Sequence, residues 1–357
     1  MGVLLLAGTR KGLFLLHGDE DRAAWELEGP LLTGWSVYHA IRDRRDGSLQ
    51  VAANNFVYGG TFQRSTDDGK TWQRAEGLGL PEESALKLEE TWHVEPGRED
   101  GEIWLGATPG VLFRSNDAGE SFEVVESVLE HPTRERWEPG AGGMCCHSIQ
   151  LDPSEQGRMY IAISAAGTFR TDDGGESWAP ANEGVAADFF PEPDNFPEVG
   201  QCVHKLLLHP ERPDRLWQQN HCGVYRSDDR GETWERLEGN GLPSGFGFPL
   251  ALDPRDPDVA YVIPEVGAEN RVTPDGRLGV YRTDDGGASW SLTANGLPEP
   301  AWGAVMREGF AFDALEPSGV YFGTQSGSVF ASIDAGESWT EIARQLPPVL
   351  SVEASWS

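Results

Sequence analysis

The sequence predicts an all-β fold, a single β-propeller of seven four-stranded blades. Three observations support this prediction: an acidic motif that occurs six times, a set of β-rich runs that recurs with it, and two chain ends with complementary patterns. Repetition with a period of about 50 residues is typical of propellers, in which each repeat forms one blade around a common axis.

The motif combines a hydroxyl residue, an aspartate, a glycine, a second hydroxyl residue and an aromatic residue at fixed spacing. The copy at Ser65–Trp72 reads STDDGKTW, and the copy at Thr171–Trp178 reads TDDGGESW. The central aspartates are 50, 56, 56, 56 and 49 residues apart. They are Asp67, Asp117, Asp173, Asp229, Asp285 and Asp334.

A tight turn explains each residue type in the motif. An aspartate accepts hydrogen bonds from the backbone of its own turn, and a glycine adopts backbone angles that other residues avoid. The aromatic residue packs between strands. We therefore interpret the six aspartates as structural residues, with a catalytic role as the alternative.

Most copies of the motif follow β-rich runs and open another. Upstream of Thr171 stand HSIQLDP, RMYIAIS and GTFRT, and Trp178 opens a fourth run. Four short strands with Gly-rich turns form the pattern of a propeller blade. We name these strands A to D from the axis outward.

The two chain ends complete the seventh blade. Gly2–Thr9, Gly12–His17 and Ala24–Leu27 match strands B, C and D, and Leu350–Ser357 can supply the missing strand A. Sharing this blade removes the open edge of the sheet.

The predicted propeller is one domain that covers residues 1–357. Its first blade combines about residues 2–30 with 349–357, and the six blades that carry the motif extend across about residues 35–345.

Acidic residues dominate the charge, with 58 Asp and Glu against 28 Lys and Arg and a net charge of −30. Such a surface repels phosphate, so no nucleic-acid partner is expected. No apolar run of 18 residues occurs, so no membrane partner is expected either. Arg10 and Lys11 interrupt the apolar start, and we therefore expect a cytoplasmic protein.

The four cysteines are too few for a disulfide scaffold in a chain of this length. We expect reduced thiols at Cys145, Cys146, Cys202 and Cys222, although pairing of Cys202 with Cys222 stays open.

The six motifs match the Asp-box, or BNR repeat, and the sequence therefore resembles the sialidase-like superfamily of Asp-box propellers. The resemblance covers nearly the whole chain and implies that the boxes lie on the C–D hairpins, away from the substrate face. The superfamily includes sialidases, xyloglucan-cleaving glycosidases, luminal domains of sorting receptors and a photosystem II assembly factor. The motif thus indicates a fold and leaves the function open.

The resemblance does not extend to the sialidase active site. Sialidases carry a Phe/Tyr-Arg-Ile-Pro signature near the start and three arginines that hold a carboxylate. That signature is absent, and Arg10, Arg22 and Arg42 stand in other contexts. We expect a glycosyl-hydrolase-like member that is not a typical sialidase.

Long loops connect the strands on the face opposite the boxes, above all Val124–Cys146 and Pro180–Cys202. Such loops commonly carry function. Their aromatic residues either cover neighbouring blades or contact a ligand. These are Trp137, Phe189, Phe190 and Phe196.

The A strands, aligned on their closing Asp-Pro-like positions, bring a ring of side chains to the channel mouth on this face. The ring consists of Tyr38, Glu90, His147, His204, Phe248 and Glu308. Within and beside the ring, the predicted ligand-binding residues are Tyr38, His39, Trp92, His93, Phe248 and His221.

The predicted catalytic residues of the ring are Glu90, Glu308, His147 and His204. Histidines and carboxylates that converge from different strands suit a divalent transition metal, and these four are the metal hypothesis. A metal-free polar pocket is the alternative. Two carboxylates across the channel, Glu90 and Glu308, could instead act as acid and base in hydrolysis.

The sequence therefore favours a propeller that binds a small ligand or catalyses a reaction at a His/Glu/Cys-lined channel mouth, with a divalent transition metal as one version. A non-catalytic scaffold or assembly factor with a protein partner is one alternative, and a glycoside hydrolase is another.

Overall fold

The computed structural model describes residues 2–140, 142–237 and 239–356. Met1 and Ser357 of the predicted domain and Ala141 of the predicted loop Val124–Cys146 lie outside the described residues, as does Glu238.

The described residues form strands with little helix. In chain order the strands are β1 (Val3–Thr9), β2 (Gly12–Gly18), β3 (Trp25–Leu31), β4 (Ser36–Arg42), β5 (Leu49–Asn55), β6 (Gly59–Ser65), β7 (Gln73–Arg74), β8 (Thr91–Pro96), β9 (Ile103–Ala107), β10 (Val111–Ser115), β11 (Glu123–Val124), β12 (Cys146–Leu151), β13 (Met159–Ile163) and β14 (Gly167–Thr171). They continue with β15 (Ala179–Pro180), β16 (Val203–His209), β17 (Arg212–Asn220), β18 (Gly223–Ser227), β19 (Glu235–Arg236), β20 (Gly247–Leu252), β21 (Ala260–Pro264), β22 (Val280–Thr283), β23 (Ser291–Thr293), β24 (Phe310–Phe312), β25 (Val320–Gly323), β26 (Val329–Ser332), β27 (Thr340–Ala343) and β28 (Val349–Trp356). Helical structure comprises α1 (Glu126–Leu129) and 3-10 turns at Arg134–Arg136 and Pro274–Gly276. No helix in the described part of the chain is long and apolar enough to cross a membrane.

These strands form seven four-stranded antiparallel sheets, which confirms the predicted propeller. Blade 1 has the order β28-β1-β2-β3, and blades 2 to 7 each consist of four consecutive strands, from β4–β7 to β24–β27. In blade 1, Val3 lies opposite Trp356 and Thr9 lies opposite Val349. The sheet edge of β1 is therefore covered by the last strand, as predicted.

The core lies between the blades, as strand β1 illustrates. Leu5 and Ala7 pack with Tyr321 of blade 7, whereas Leu6 packs with Val37 of blade 2. Successive side chains of a strand point to opposite faces, so a strand buried between two neighbours is apolar at every position. Burial of one leucine side chain contributes about 1.5–3 kcal/mol.

Each Asp-box closes its own turn through one carboxylate. In blade 4, Asp173 Oδ1 accepts hydrogen bonds from the Thr171 hydroxyl at 2.6 Å and from the Ser177 amide at 2.9 Å. Asp173 Oδ2 accepts one from the Ser177 hydroxyl at 2.6 Å. Gly175 makes the turn at φ +95°, and Trp178 is buried beside it. The other five boxes repeat these contacts.

Hydrogen bonds to the charged form of these aspartates favour ionisation. The pKa of Asp173 falls to about 2 because the hydroxyls of Ser177 and Thr171 and the Ser177 amide donate to its carboxylate. The pKa of Asp285 falls to about 2 in the same way. These carboxylates serve the turn, so the structural interpretation of the six aspartates is the one we keep.

The Asp173→Ala variant tests this bracing role. We expect a loss of about 1–3 kcal/mol in the free energy of unfolding, because a turn amide and two hydroxyls lose their acceptor. Urea denaturation measures it, with Asp100→Ala as the control at an exposed aspartate. Since the folded pKa is lower than the unfolded one, the stabilisation is present above about pH 4 and is lost as pH falls towards 2. Equal unfolding free energies for both variants at pH 7 would contradict the role.

Candidate ligand site on the long-loop face

The A strands carry β-bulges where they enter from the long-loop face. Near the start of each of four A strands the register shifts by one residue, and the residue left without a partner turns its side chain away from the regular pattern. The bulged residues are Tyr38, Trp92, His147 and His204. Phe248 lies in the corresponding irregular segment of β20.

The third blade differs from the sequence alignment by two residues. The amide of Gly97 bonds to the Glu102 carbonyl, as the Asp43 amide bonds to the Ser48 carbonyl in blade 2. Glu95-Pro96 imitates the closing Asp-Pro pattern of other blades, and this shifted the predicted register. Trp92 therefore occupies the ring position at which the alignment placed Glu90.

Glu90 and Tyr38 bind each other at the edge of the channel mouth. The Tyr38 hydroxyl donates to Glu90 Oε1 at 2.9 Å, and the Tyr38 ring packs on Trp92 at 4.6 Å. Trp92 in turn donates from Nε1 to the Thr108 hydroxyl at 2.8 Å. The Glu90 carboxylate is thus engaged within the protein.

Arg307 fills the channel mouth. Its Nε donates to the His204 carbonyl at 3.2 Å, and its guanidinium lies 5.3 Å from the Trp92 ring and 5.4 Å from the Phe248 ring. These contacts come from blades 5, 3 and 6, so this one buried side chain bridges the mouth.

A buried charged cluster lies on the channel side, around Glu308. Lys205 Nζ lies 2.5 Å from Glu308 Oε2, His93 Nδ1 lies 3.5 Å from Oε1, and His39 Nε2 lies 3.9 Å from Oε2. The His39 and His93 rings stack at 4.2 Å. The structure brings together three predicted residues, His39, His93 and Glu308, and adds Lys205, which the sequence analysis did not select.

The Glu308 carboxylate is held in its charged form. Burial alone would raise the pKa of Glu308, but the Lys205 ammonium and the His93 ring outweigh it and hold that pKa well below normal. For His93, burial is outweighed by the Glu308 carboxylate, so its pKa is raised. A cavity of about 240 Å³ adjoins this cluster and is also lined by Glu95 and Glu353.

A larger pocket, of about 710 Å³, opens on the long-loop face. Its walls come from the two longest loops, through Arg136 and Pro139 on one side and Phe189 and Phe190 on the other. Phe189 is 51% exposed and Phe190 is 41% exposed, so both rings remain accessible. Trp137, by contrast, is buried against Phe169 and covers the neighbouring blade.

Three potential ligand atoms meet in this pocket, on Cys202, His204 and His221, within 4.8 Å of one another. Cys202 Sγ lies 3.6 Å from His204 Nε2. His204 Nδ1 donates to the Gly247 carbonyl at 2.6 Å, which leaves Nε2 with its lone pair. Burial and the nearby Arg307 guanidinium hold the pKa of His204 well below normal, so the ring is neutral at pH 7.

Phe248 anchors the cationic side of the pocket. Its ring stacks on His204 at 4.4 Å, and the guanidinium groups of Arg271 and Arg307 each lie 5.4 Å from it. Within the described residues, neither arginine forms an ion pair with a carboxylate. The sequence analysis selected Phe248 and missed both arginines.

Glu265 is a further residue that the sequence analysis missed. Its side chain is buried, and neither carboxyl oxygen has a hydrogen-bond partner among the described residues. Burial raises its pKa to about 7, although Arg271 opposes the shift. A buried carboxyl group with a raised pKa therefore lies within electrostatic reach of Arg271.

The four residues of the metal hypothesis do not share one site in the described structure. His147 is fully buried, with Nε2 at 2.9 Å from the Val203 carbonyl and Nδ1 at 3.1 Å from the Ser148 hydroxyl. Glu90 pairs with Tyr38, and Glu308 pairs with Lys205. Only His204 lies in the large pocket, where it meets His221.

All four cysteines are free thiols. Cys145, Cys146 and Cys222 are buried, and Cys202 is partly exposed at the pocket. The amide of Asp188 donates to Cys222 Sγ at 3.3 Å. Cys202 and Cys222 are therefore not paired.

Comparison with known families agrees with this architecture. A family model described as BNR/Asp-box repeat matches residues 63–74 and 225–236, which contain the first and fourth boxes. The chain is an Asp-box β-propeller.

The relatives of this propeller include carbohydrate-active enzymes. A xyloglucanase from Paenibacillus sp is 26% identical over 280 residues, which cover 68% of this chain and 25% of the relative. A sialidase from Bacteroides fragilis is 24% identical over 324 residues, which cover 79% of this chain and 57% of the relative. The propeller thus spans only part of the length of these relatives.

Among solved structures, YCF48 bound to a D1 peptide has the same fold. The TM-score is 0.58 at 15% identity, and the match covers 87% of this chain and 82% of YCF48. At this identity the likeness concerns the fold alone.

The Lys205→Met variant tests the charged cluster. We expect it to lower the free energy of unfolding by about 3–5 kcal/mol, because the Glu308 carboxylate loses its closest cation while it stays buried. The double variant Lys205→Met/Glu308→Leu should recover much of this loss, because it removes both charges. Chemical denaturation of both proteins at pH 7 measures the two values. A double variant as unstable as the single one would show that Glu308 does not depend on Lys205.

Proposed function

We propose that the propeller binds a small organic oxyanion, a carboxylate or phosphate with an apolar part, in the large pocket of the long-loop face. The observation that carries this proposal is the pair of arginines, Arg271 and Arg307, beside the Phe248 ring. Both lack a carboxylate partner in the described structure, although the chain carries a net charge of −30.

The chemistry of the pocket suits such a ligand. A guanidinium binds carboxylate or phosphate through two parallel hydrogen bonds, and the remaining acidic surface repels anions elsewhere. The accessible Phe189 and Phe190 rings offer an apolar surface for the rest of the molecule. His204 and Cys202 lie on the same wall, so a bound ligand would meet a neutral imidazole and a thiol.

The same carboxylate chemistry can come from a free small molecule or from the C-terminus of a peptide. The YCF48 structure, with its D1 peptide, favours testing the second source. A peptide with a free C-terminal carboxylate and the same peptide with a C-terminal amide distinguish the two sources. If the ligand is a peptide C-terminus, the peptide with the free carboxylate should bind and the amide should not.

Arg271→Gln is the direct test of oxyanion binding. Benzoate, a sugar acid and a sugar phosphate, each beside a neutral counterpart, serve as probes in thermal-shift and calorimetric titrations. We expect at least one anion to bind and the variant to weaken it about 10- to 100-fold, because one charged hydrogen-bonding group is lost.

Arg277→Gln is the matched control, since Arg277 pairs with Glu299 at 3.1 Å and is exposed. It should bind the probe as the unmodified protein does. Binding of the neutral counterparts alone, no binding across all probes, or equal loss in both variants would each overturn the proposal.

Binding should also depend on pH through Glu265. Below its pKa of about 7 this carboxyl is neutral, and above it the carboxylate competes with the ligand for Arg271. The affinity for benzoate, which stays ionised, should therefore fall severalfold as pH rises from 6 to 8. The Glu265→Gln variant should bind benzoate with the same affinity at pH 6 and pH 8. If the affinity of this variant still fell between pH 6 and pH 8, as in the unmodified protein, the result would contradict the role of Glu265.

Glycoside hydrolysis is a second candidate function, favoured by the xyloglucanase and sialidase relatives. It needs an acid and a second carboxylate at the sugar. Glu90 and Glu308 are engaged with Tyr38 and Lys205, whereas Glu135 and Glu138 line the pocket. Turnover of xyloglucan oligosaccharides or aryl glycosides by the purified chain, lost in Glu138→Gln, would favour this function, and its absence would remove it.

A further inference from the structure

We propose that Cys202, His204 and His221 form a binding site for a divalent metal of the Zn²⁺ type, with a fourth coordination position that opens into the large pocket. The site goes beyond oxyanion binding and differs from the four residues of the metal hypothesis, of which it retains only His204. The oxyanion of the proposed function could occupy the fourth coordination position. That one point rests on the proposed function, and the metal site itself does not.

The distances match tetrahedral coordination. With a metal–sulfur distance of about 2.3 Å and a metal–nitrogen distance of about 2.0–2.1 Å, a tetrahedral angle separates sulfur and nitrogen by about 3.5 Å. Cys202 Sγ lies 3.6 Å from His204 Nε2. The ligand atom of His221 lies within 4.8 Å of both, so a small rotation of its side chain would complete the set.

The hydrogen bonds around the three residues favour a metal. Histidine ligands usually donate their second ring nitrogen to a carbonyl or carboxylate, which fixes the free lone pair. His204 Nδ1 makes this bond to the Gly247 carbonyl at 2.6 Å. The Ser164 hydroxyl lies 3.7 Å from Cys202 Sγ, where it can donate to a thiolate.

The backbone of blade 5 holds the three residues in place. Cys202 and His204 lie two positions apart at the start of β16, and His221 lies in the turn between β17 and β18. The His221 amide donates to the Cys202 carbonyl at 2.9 Å, and Val203 pairs with Asn220 in the ladder. The bulge at His204 turns its ring towards the pocket.

His221 has accessible ring nitrogens. His221 is half-buried, its ring contacts those of Phe189, His204 and Phe246, and its ring nitrogens make no hydrogen bond among the described residues. One thiolate and two imidazoles are soft and borderline ligands of the kind that Zn²⁺ prefers. Three protein ligands with one open position are the arrangement of reactive zinc sites.

The cluster of His39, His93 and Glu308 also places three potential ligand atoms within 4.8 Å, but its carboxylate already has a close cation. Lys205 Nζ lies 2.5 Å from the Glu308 carboxylate and would have to leave it before a metal could bind there. The two clusters therefore make different predictions for variants.

Both experiments use the full chain after reduction and treatment with chelator. Zn²⁺ alone is the probe for calorimetry, and Co²⁺ alone is the probe for absorption spectroscopy. We expect one equivalent of Zn²⁺ to bind. We expect Co²⁺ to give a thiolate charge-transfer band that disappears in Cys202→Ser. His221→Asn should weaken Zn²⁺ binding about tenfold or more. His17→Asn, at an exposed histidine of blade 1, should bind as the unmodified protein does.

Alkylation gives a second readout, which identifies the cysteine that the metal covers. Iodoacetamide should modify Cys202 first, because the other three cysteines are buried, and mass spectrometry locates the label. At a Zn²⁺ concentration that just saturates the unmodified protein, the metal should protect Cys202 in the unmodified protein and in His17→Asn, and should protect it much less in His221→Asn. Circular dichroism and unchanged melting in the absence of metal show that each variant is folded.

Two results would overturn the metal site. Equal Zn²⁺ binding by the unmodified chain and by the double variant Cys202→Ser/His221→Asn would place the metal elsewhere. No stoichiometric binding and no protection would show that the 3.6 Å contact is a thiol–imidazole hydrogen bond only. Oxyanion binding is tested independently of the metal site, by comparing the unmodified protein with Arg271→Gln in the presence of chelator.

Discussion

The pairing of β28 with β1 is the contact on which the rest of the propeller depends. It joins residues 3–9 to residues 349–356 and supplies blade 1 with its innermost strand. Because Leu5 and Ala7 pack on blade 7 while Leu6 packs on blade 2, this strand belongs to two interfaces at once. Loss of the ladder would expose a sheet edge and both interfaces together, so closure of the ring and formation of its core are one event.

Closure also fixes what meets at the centre. The bulges turn Tyr38, Trp92, His147 and His204 out of the regular pattern near the start of four A strands. Alternation along the strand then sends the next residues, such as His39, His93 and Lys205, to the layer around Glu308. A repeated backbone with varied side chains thus produces two chemically different layers, an aromatic one with Arg307 and a charged one.

The sequence predicts the fold well because the Asp-box is a local device. The side-chain contacts of Asp173 reach no further than four residues along the chain. The turn and the two strands that it joins can therefore be predicted from one short segment. The ring of side chains at the channel mouth was predicted only in part. His204 and Phe248 follow from the repeat, whereas Glu95-Pro96 imitates the end of an A strand and shifts the predicted register of the third blade by two residues. Lys205 was missed because its partner Glu308 is 103 residues away in the sequence and comes from another blade. Arg271 and Glu265 were missed because only the folded loop after β21 brings them close to each other and to Phe248. The short spacing Cys202-Val203-His204 was a usable signal, since two metal-ligand residue types stand two positions apart where β16 begins, although the bulge that turns His204 towards Cys202 could not be predicted.

The position of the pocket follows from the way the axis is closed. Arg307 bridges Trp92, Phe248 and the His204 carbonyl, so a ligand cannot enter the channel from the long-loop face without displacing a buried cation. The two longest loops instead rise on one side of the axis, and the space between them ends on the wall of His204 and Phe248. The same arginine that closes the channel thereby presents its charge to the adjoining pocket. Burial and, to a smaller extent, this guanidinium lower the pKa of His204, and the neutral ring is the state that can accept a metal or a thiol proton. Closure of the channel mouth and attraction of anions to the adjoining pocket are therefore two consequences of one side chain.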